Sequence, residues 1–234
     1  AISAAITGLT PFTTYHYRVK AVNSAGTTYS DDATMKTAEP AIISDGNTVA
    51  WYDYTDAATI TKDGSNFVSR WNDKLGSGRD LIQENGTSQP LINEYGLLFD
   101  GIDNFMLASG FNVNSAVTVY LVVSQKTWST EDTFFDRKTG GTGFRLHQRV
   151  ESPKFRYQGI GTINFVTNTM PLDSFNIITL VVNGINSKLN VALSSVTGNF
   201  GITNFTDIVL GDISTTGAYI NAVFKEFIIR KNAD

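Results

Sequence analysis

Turn-forming residues recur along this chain at a spacing that leaves little choice of architecture. Gly, Asn, Asp, Pro and Ser interrupt short apolar runs roughly every 8 to 12 residues. Val117, Val119, Leu121 and Val123 form one run, and its other positions, Ala116, Tyr120 and Val122, are largely apolar too. Both faces of that strand are therefore expected to be covered. Residues 175–182 repeat the pattern and stop at Asn183-Gly184, a strong hairpin signal. Leu189, Val191 and Leu193 then alternate with Asn190, Ala192 and Ser194 as the partner strand, and further strands fall at residues 207–210 and 223–229. Residues 56–59 are the one place that suits a helical turn. Roughly ten or more such strands predict an all-β sandwich or jelly roll rather than a parallel α/β sheet.

Composition narrows the function classes. At 234 residues the chain can form one large domain or two ordinary ones with a full core. It has no cysteine, which removes disulfides and thiolate metal sites. A net charge of −4 provides no overall basic field for nucleic acid or anionic membranes. No apolar run approaches the roughly 18 to 20 residues of a membrane span. The first residues carry neither an initiator Met nor a signal pattern, so the chain reads as part of something longer.

Residues 1–39 hold a regular alternation in which Tyr15, Tyr17, Val19 and Ala21 interleave with Thr14, His16, Arg18 and Lys20. Period two with one apolar face predicts a single half-buried strand, ended by the turn formers of Asn23-Ser24-Ala25-Gly26. Leu9, Pro11, Thr13 and Tyr15, continued by Tyr17-Arg18-Val19, resemble the L-x-P-x-T-x-Y pattern of fibronectin type III domains. The resemblance covers the last three strands and implies that Tyr15 is a tyrosine-corner residue. Pro40 and Asp45-Gly46 then break the periodicity, so residues 40–47 are expected to be a linker.

From residue 48 onward the landmarks are Trp51-Tyr52-Asp53, Trp71-Asn72-Asp73, Asp80-Leu81-Ile82-Gln83 and Leu98-Phe99-Asp100-Gly101-Ile102-Asp103. Ile208-Val209-Leu210-Gly211 and Phe224-Lys225-Glu226-Phe227 follow near the end. Together they resemble the concanavalin A-like, laminin G-like jelly roll over residues 48–234, with Trp51 and Trp71 in its core. Such modules, paired with fibronectin type III modules, occur in secreted bacterial proteins, adhesins and phage structural proteins. The resemblance therefore implies a virion-surface or extracellular setting.

Chemistry is sparser than architecture. Glycoside hydrolysis needs two carboxylates about 5 to 9 Å apart. The nearest set, Glu131, Asp132 and Asp136, sits beside a Thr- and Ser-rich loop and lacks an E-x-D-x-E alternation. No catalytic residue is therefore assigned. Family members often bind Ca²⁺, and Asp100, Asp103 and Asn104 supply hard oxygen ligands, although the same side chains suit a self-capped turn. Structural Ca²⁺ is the one cofactor raised. Trp128, in the polar Gln125-Lys126-Thr127-Trp128-Ser129-Thr130, either stacks on a sugar ring or caps the sandwich edge. Arg145, His147 and Arg149 share parity on a strand, and the turn at Ser152-Pro153 would bring Lys154 and Arg156 alongside. They form either a solvated outer face or a positive stripe for an anionic glycan or an acidic partner subunit. Tyr157 joins this group as an aromatic candidate.

Three function classes follow. The first is a non-catalytic adhesion or glycan-binding module of a longer phage or secreted bacterial protein. The second is a structural virion or cell-surface component that makes only protein contacts, with other subunits or with copies of itself. The third is a glycoside hydrolase, for which the carboxylate pair is missing.

Overall fold

Strands dominate the protein, as the turn spacing predicts. The computed structural model describes residues 6, 9, 13–37, 45–129, 131–138, 143–148, 154–159, 164–167, 170–201, 203–212 and 217–234. Two compact units result, residues 1–47 and residues 48–234.

In the first unit the alternation of residues 14–23 makes two strands instead of the single strand expected. β1 (Thr14–Tyr17) pairs with β4 (Ala33–Lys36), and β2 (Lys20–Asn23) pairs with β3 (Gly26–Tyr29), both antiparallel. Between the Tyr17·Ala33 and Lys20·Tyr29 pairs, two residues on one side face three on the other, the arithmetic of a β-bulge. Ser30 bridges the break: its hydroxyl accepts the Val19 N–H at 2.9 Å and its own N–H donates to the Val19 carbonyl at 3.0 Å. Of the face expected to be covered, Tyr15 is half-buried, while Ala21 is exposed and Tyr17 and Val19 are 47% and 65% exposed.

The second unit is a two-sheet sandwich. Its back sheet runs β19 (Ser194–Gly198), β18 (Ser187–Val191), β17 (Phe175–Val182), β12 (Val117–Gln125), β21 (Asn221–Arg230), β10 (Gly96–Asp100) and β9 (Leu91–Asn93). β5 (Thr48–Asp53) also pairs with β21. The front sheet runs β16 (Asn164–Thr167), β15 (Lys154–Gly159), β14 (Phe144–Gln148), β13 (Thr133–Asp136), β20 (Phe205–Leu210), β11 (Met106–Val113), β8 (Leu81–Ile82), β7 (Val68–Trp71) and β6 (Ile60–Lys62). The helical turn is a short 3₁₀ segment at Ala57–Thr59. The Asn183-Gly184 signal does mark a hairpin, closed by a 3₁₀ turn over Gly184–Asn186. Leu193 is not part of the returning strand. The strand ends at Val191, Ala192 takes φ +50°, and Leu193 stands 97% exposed at the tip.

Aromatic rings join the sheets. Phe227 of β21 lies 5.9 Å from Tyr52 on its own sheet and 5.6 Å from Phe135 of the front sheet. Tyr52 in turn meets Trp71 of β7 at 5.8 Å. Trp51 and Trp71 are 5% and 0% exposed, in keeping with the packing roles read from the sequence. A buried clip closes the unit: Arg230, 2% exposed, donates to Asp234 at 2.5 and 3.1 Å and to the Thr48 hydroxyl at 2.8 Å. The Asp234 N–H donates to Thr118 Oγ1 at 3.1 Å.

Candidate functional site

Register places one row of side chains across the outer face of the front sheet. Asp136 on β13 pairs with Val209 on β20, Val209 with Leu107 on β11, Leu107 with Ile82 on β8, and Ile82 with Arg70 on β7. Directly opposed antiparallel residues share a face. All five therefore point away from the core, and the row separates two different environments.

On the β13–β15 side lies a buried charged cluster. Arg145 is 7% exposed, donates through Nε to Thr133 Oγ1 at 3.0 Å and through Nη2 to the Glu131 carbonyl at 2.8 Å. The Glu131 carboxylate stands 3.4 Å from that Nη2 and 3.1 Å from His147 Nδ1. Glu131 itself holds φ +68°, an unusual conformation for a glutamate, and its carbonyl and carboxylate are both engaged there. Burial pushes the Asp136 carboxyl up to about 6, against the opposing pull of the Arg137 backbone N–H and the Arg145 charge. Burial likewise raises Asp132 to about 6 and lowers Arg145.

The residues singled out from sequence are thus sorted. His147 pairs with Arg156 in register, and Arg145 and Lys154 share that face, so parity did bring them together. Arg145 and His147 do not face solvent, because all five residues of β14 are buried and His147 is 0% exposed, whereas Lys154 and Arg156 on β15 are half-buried. The strand is interior to its sheet and covered on both faces. Arg149 lies outside the described residues. Tyr157 belongs to the inner face, 0% exposed and 5.4 Å from Phe200, so it is core. Trp128 is half-buried and packs edge-on against Phe155 at 5.3 Å, which favours the edge cap over a free stacking platform. At the Asp100 turn, Asp100 Oδ1 accepts the Ile102 N–H, Asn104 Oδ1 accepts the Asp100 N–H, and Asp103 Oδ2 accepts from Ser88 at 3.4 Å. Their acceptors serve the turn itself. Among the described residues no group of three or more His, Cys, Asp or Glu converges as for a metal.

The other side of the row opens into a cleft of about 410 Å³ lined by Gly78, Asp80, Ile82, Gln83, Glu84, Phe105, Leu107 and Ser109. Apart from Gln83, these are the alternate residues of two segments, 78–84 and 105–109, that meet at the Ile82·Leu107 pair. Their odd and even counterparts, Leu81, Met106 and Ala108, are buried in the core. Ile82, Leu107 and Phe105 are half-exposed and make an apolar floor and wall, while Glu84 and Ser109 are exposed. Asp80 is fixed by Arg70 at 2.8 Å and by the Asp73 N–H at 3.0 Å. Gln83 is locked, donating to the Phe105 carbonyl at 3.0 Å and accepting the Asn85 N–H at 3.0 Å. Asp80-Leu81-Ile82-Gln83 figures in the sequence only as a fold landmark, although the alternation of Asp80, Ile82 and Glu84 against Leu81 and Gln83 carries the signal of this site.

Fold and cleft together define an all-β sandwich domain with a concave polar-and-apolar pocket on one sheet. No protein-family model matches the chain, and no curated protein matches its sequence. Among solved structures it is similar to a Trypanosoma rangeli sialidase in complex with 2,3-difluorosialic acid, with TM-score 0.58 and 13% identity. That match covers 85% of this chain but 32% of the sialidase, so the chain spans about a third of that protein. It is also similar to domain 4 of AbnA, a GH43 extracellular arabinanase from Geobacillus stearothermophilus, in complex with arabinotriose. There the TM-score is 0.56 at 15% identity, over 80% of this chain and 93% of that domain. A third likeness is the botulinum neurotoxin type G receptor binding domain, with TM-score 0.55 and 13% identity, over 81% of this chain and 49% of that one. At these identities the likeness is one of fold.

Proposed function

We propose that residues 48–234 form a non-catalytic glycan-binding module and that the cleft over Ile82 and Leu107 is its binding site. The observation that carries this reading is the composition of the cleft. An apolar floor and the Phe105 ring meet the C–H faces of a sugar, while the carboxylates of Asp80 and Glu84 and the Ser109 hydroxyl meet its hydroxyls. Its volume of about 410 Å³ falls within the roughly 300–1,000 Å³ of small-ligand sites. The domain of AbnA that shares the sandwich was solved with arabinotriose, which supports the ligand class.

The state of Asp80 supports the non-catalytic half of the reading. One of its carboxylate oxygens accepts from Arg70 and the other from the Asp73 N–H, so the pair it makes with Glu84 lacks the free acid or nucleophile that glycoside cleavage needs. The wider setting, a fibronectin type III-like module followed by a jelly roll on a virion or cell surface, rests on the sequence resemblance. A purely structural component making only protein contacts is the competing reading. Filling the cleft separates them: Ser109→Trp, at an exposed position on β11, should abolish retention on glycan-substituted gels while leaving the melting temperature within a few degrees. Unchanged retention would remove the cleft from the argument.

A further inference from the structure

The cleft offers a ligand acceptors and almost no donors. We infer that it selects neutral, hydroxyl-rich saccharides and discriminates against uronic, sialic and sulfated ones; this deepens the glycan reading above and rests on it. Ionised carboxylates only accept hydrogen bonds, so a partner must present O–H or N–H groups to them. Two such carboxylates, Asp80 and Glu84, line the pocket. The cations nearby are engaged. Arg70 pairs with Asp80 at 2.8 Å. Arg79 keeps its charge, but its donors are turned to the carbonyls of Val49 and Gly110 at 2.9 and 3.0 Å, and its side chain does not line the cleft. Of the two side-chain donors in the lining, the Gln83 amide is committed to the Phe105 carbonyl, which leaves the Ser109 hydroxyl.

Pairing Arg70 with Asp80 leaves the Glu84 charge over. Among the described residues Glu84 has no ion-pair partner, and it is exposed at the rim. An acidic sugar entering beside it meets like charge with no cation in the lining to offset it, whereas a neutral sugar donates its hydroxyls to the same oxygens. Arg145 and His147, two members of the basic stripe read from the sequence, are buried on the far side of the Asp136·Val209 row. The acceptor-rich rim also suits an ammonium group, so a lysine-rich peptide is the rival occupant.

The test uses the whole 234-residue chain and isothermal titration with paired probes of equal length. Neutral arabino-, xylo- and gluco-oligosaccharides are set against oligogalacturonate, a sialyl-oligosaccharide and an oligolysine peptide. The expected result is binding of at least one neutral oligosaccharide, with its acidic counterparts at least about tenfold weaker at low salt. The gap should narrow in high salt and in Glu84→Gln, whose exposed position spares the fold. Equal or tighter binding of an acidic saccharide overturns the discrimination and leaves the glycan reading standing, as does a gap that Glu84→Gln does not change. Binding of oligolysine alone, or of no saccharide at all, overturns the glycan reading itself.

Discussion

A carboxyl group at Asp136, 5% exposed, sits where water scarcely reaches it, and the cost shows in its proton affinity. A carboxyl whose folded pKa stands near 6 instead of 3.8 binds its proton more tightly in the native state than in the unfolded one. Between those values the folded protein holds more protons. Stability contributed by Asp136 is therefore full below about pH 4 and declines as pH rises through 6. Asp132 acts in the same direction. Chemical denaturation followed from pH 4 to pH 7 should show stability falling. Asp136→Asn should flatten that slope by on the order of 2 kcal/mol across the window. A wild-type slope that survives the substitution would place the proton elsewhere.

At the scale of an element, strands were legible where alternation is local, and their surroundings were not. β12, β17, β20 and β21 lie where the apolar runs place them. Parity also assigned Arg145 and His147 to one face and Phe144 and Leu146 to the other. What parity cannot report is whether a face is covered. That depends on what packs over it, and here the segment ahead of β13 lays Glu131 against Arg145 and His147 from well outside the strand. For the same reason the 78–84 and 105–109 alternations passed for framework until the Ile82·Leu107 pairing joined them. The turns between elements impose sharper demands. Gly211 takes φ +92° directly against the Phe99 ring, so a Cβ has neither the backbone freedom nor the space. Gly110, at the bulge within β11, takes φ +83° with open space around it. Gly211→Ala should therefore cost about 2 to 4 kcal/mol in urea unfolding, and Gly110→Ala only about 1 kcal/mol from backbone strain. Equal costs would mean that the Phe99 contact contributes nothing.

For the whole molecule, an all-β sandwich was readable from turn spacing, because hairpin chemistry is local and frequent. The first unit was less so, since one residue inserted between Tyr17·Ala33 and Lys20·Tyr29 splits a strand whose sequence alternates without a break. The closure of the second unit by Arg230 was not legible either: its partners, Thr48 and Asp234, lie at opposite ends of that unit. Arg230→Ala leaves the Asp234 carboxylate without its bidentate partner and opens the space of a buried guanidinium. A loss of about 3 kcal/mol in denaturant midpoint terms is expected, and a change within error would demote the clip to decoration.

The clip has a mechanical reading as well. Thr48 at the start of β5 is paired with Arg230 at the end of β21, so the polypeptide enters and leaves the sandwich at one spot. Tension applied between Thr48 and Asp234 would load that spot alone, opening the β5·β21 seam one pair at a time instead of shearing the sheets. Until the seam gives, the face that carries the cleft hangs outside the line of force.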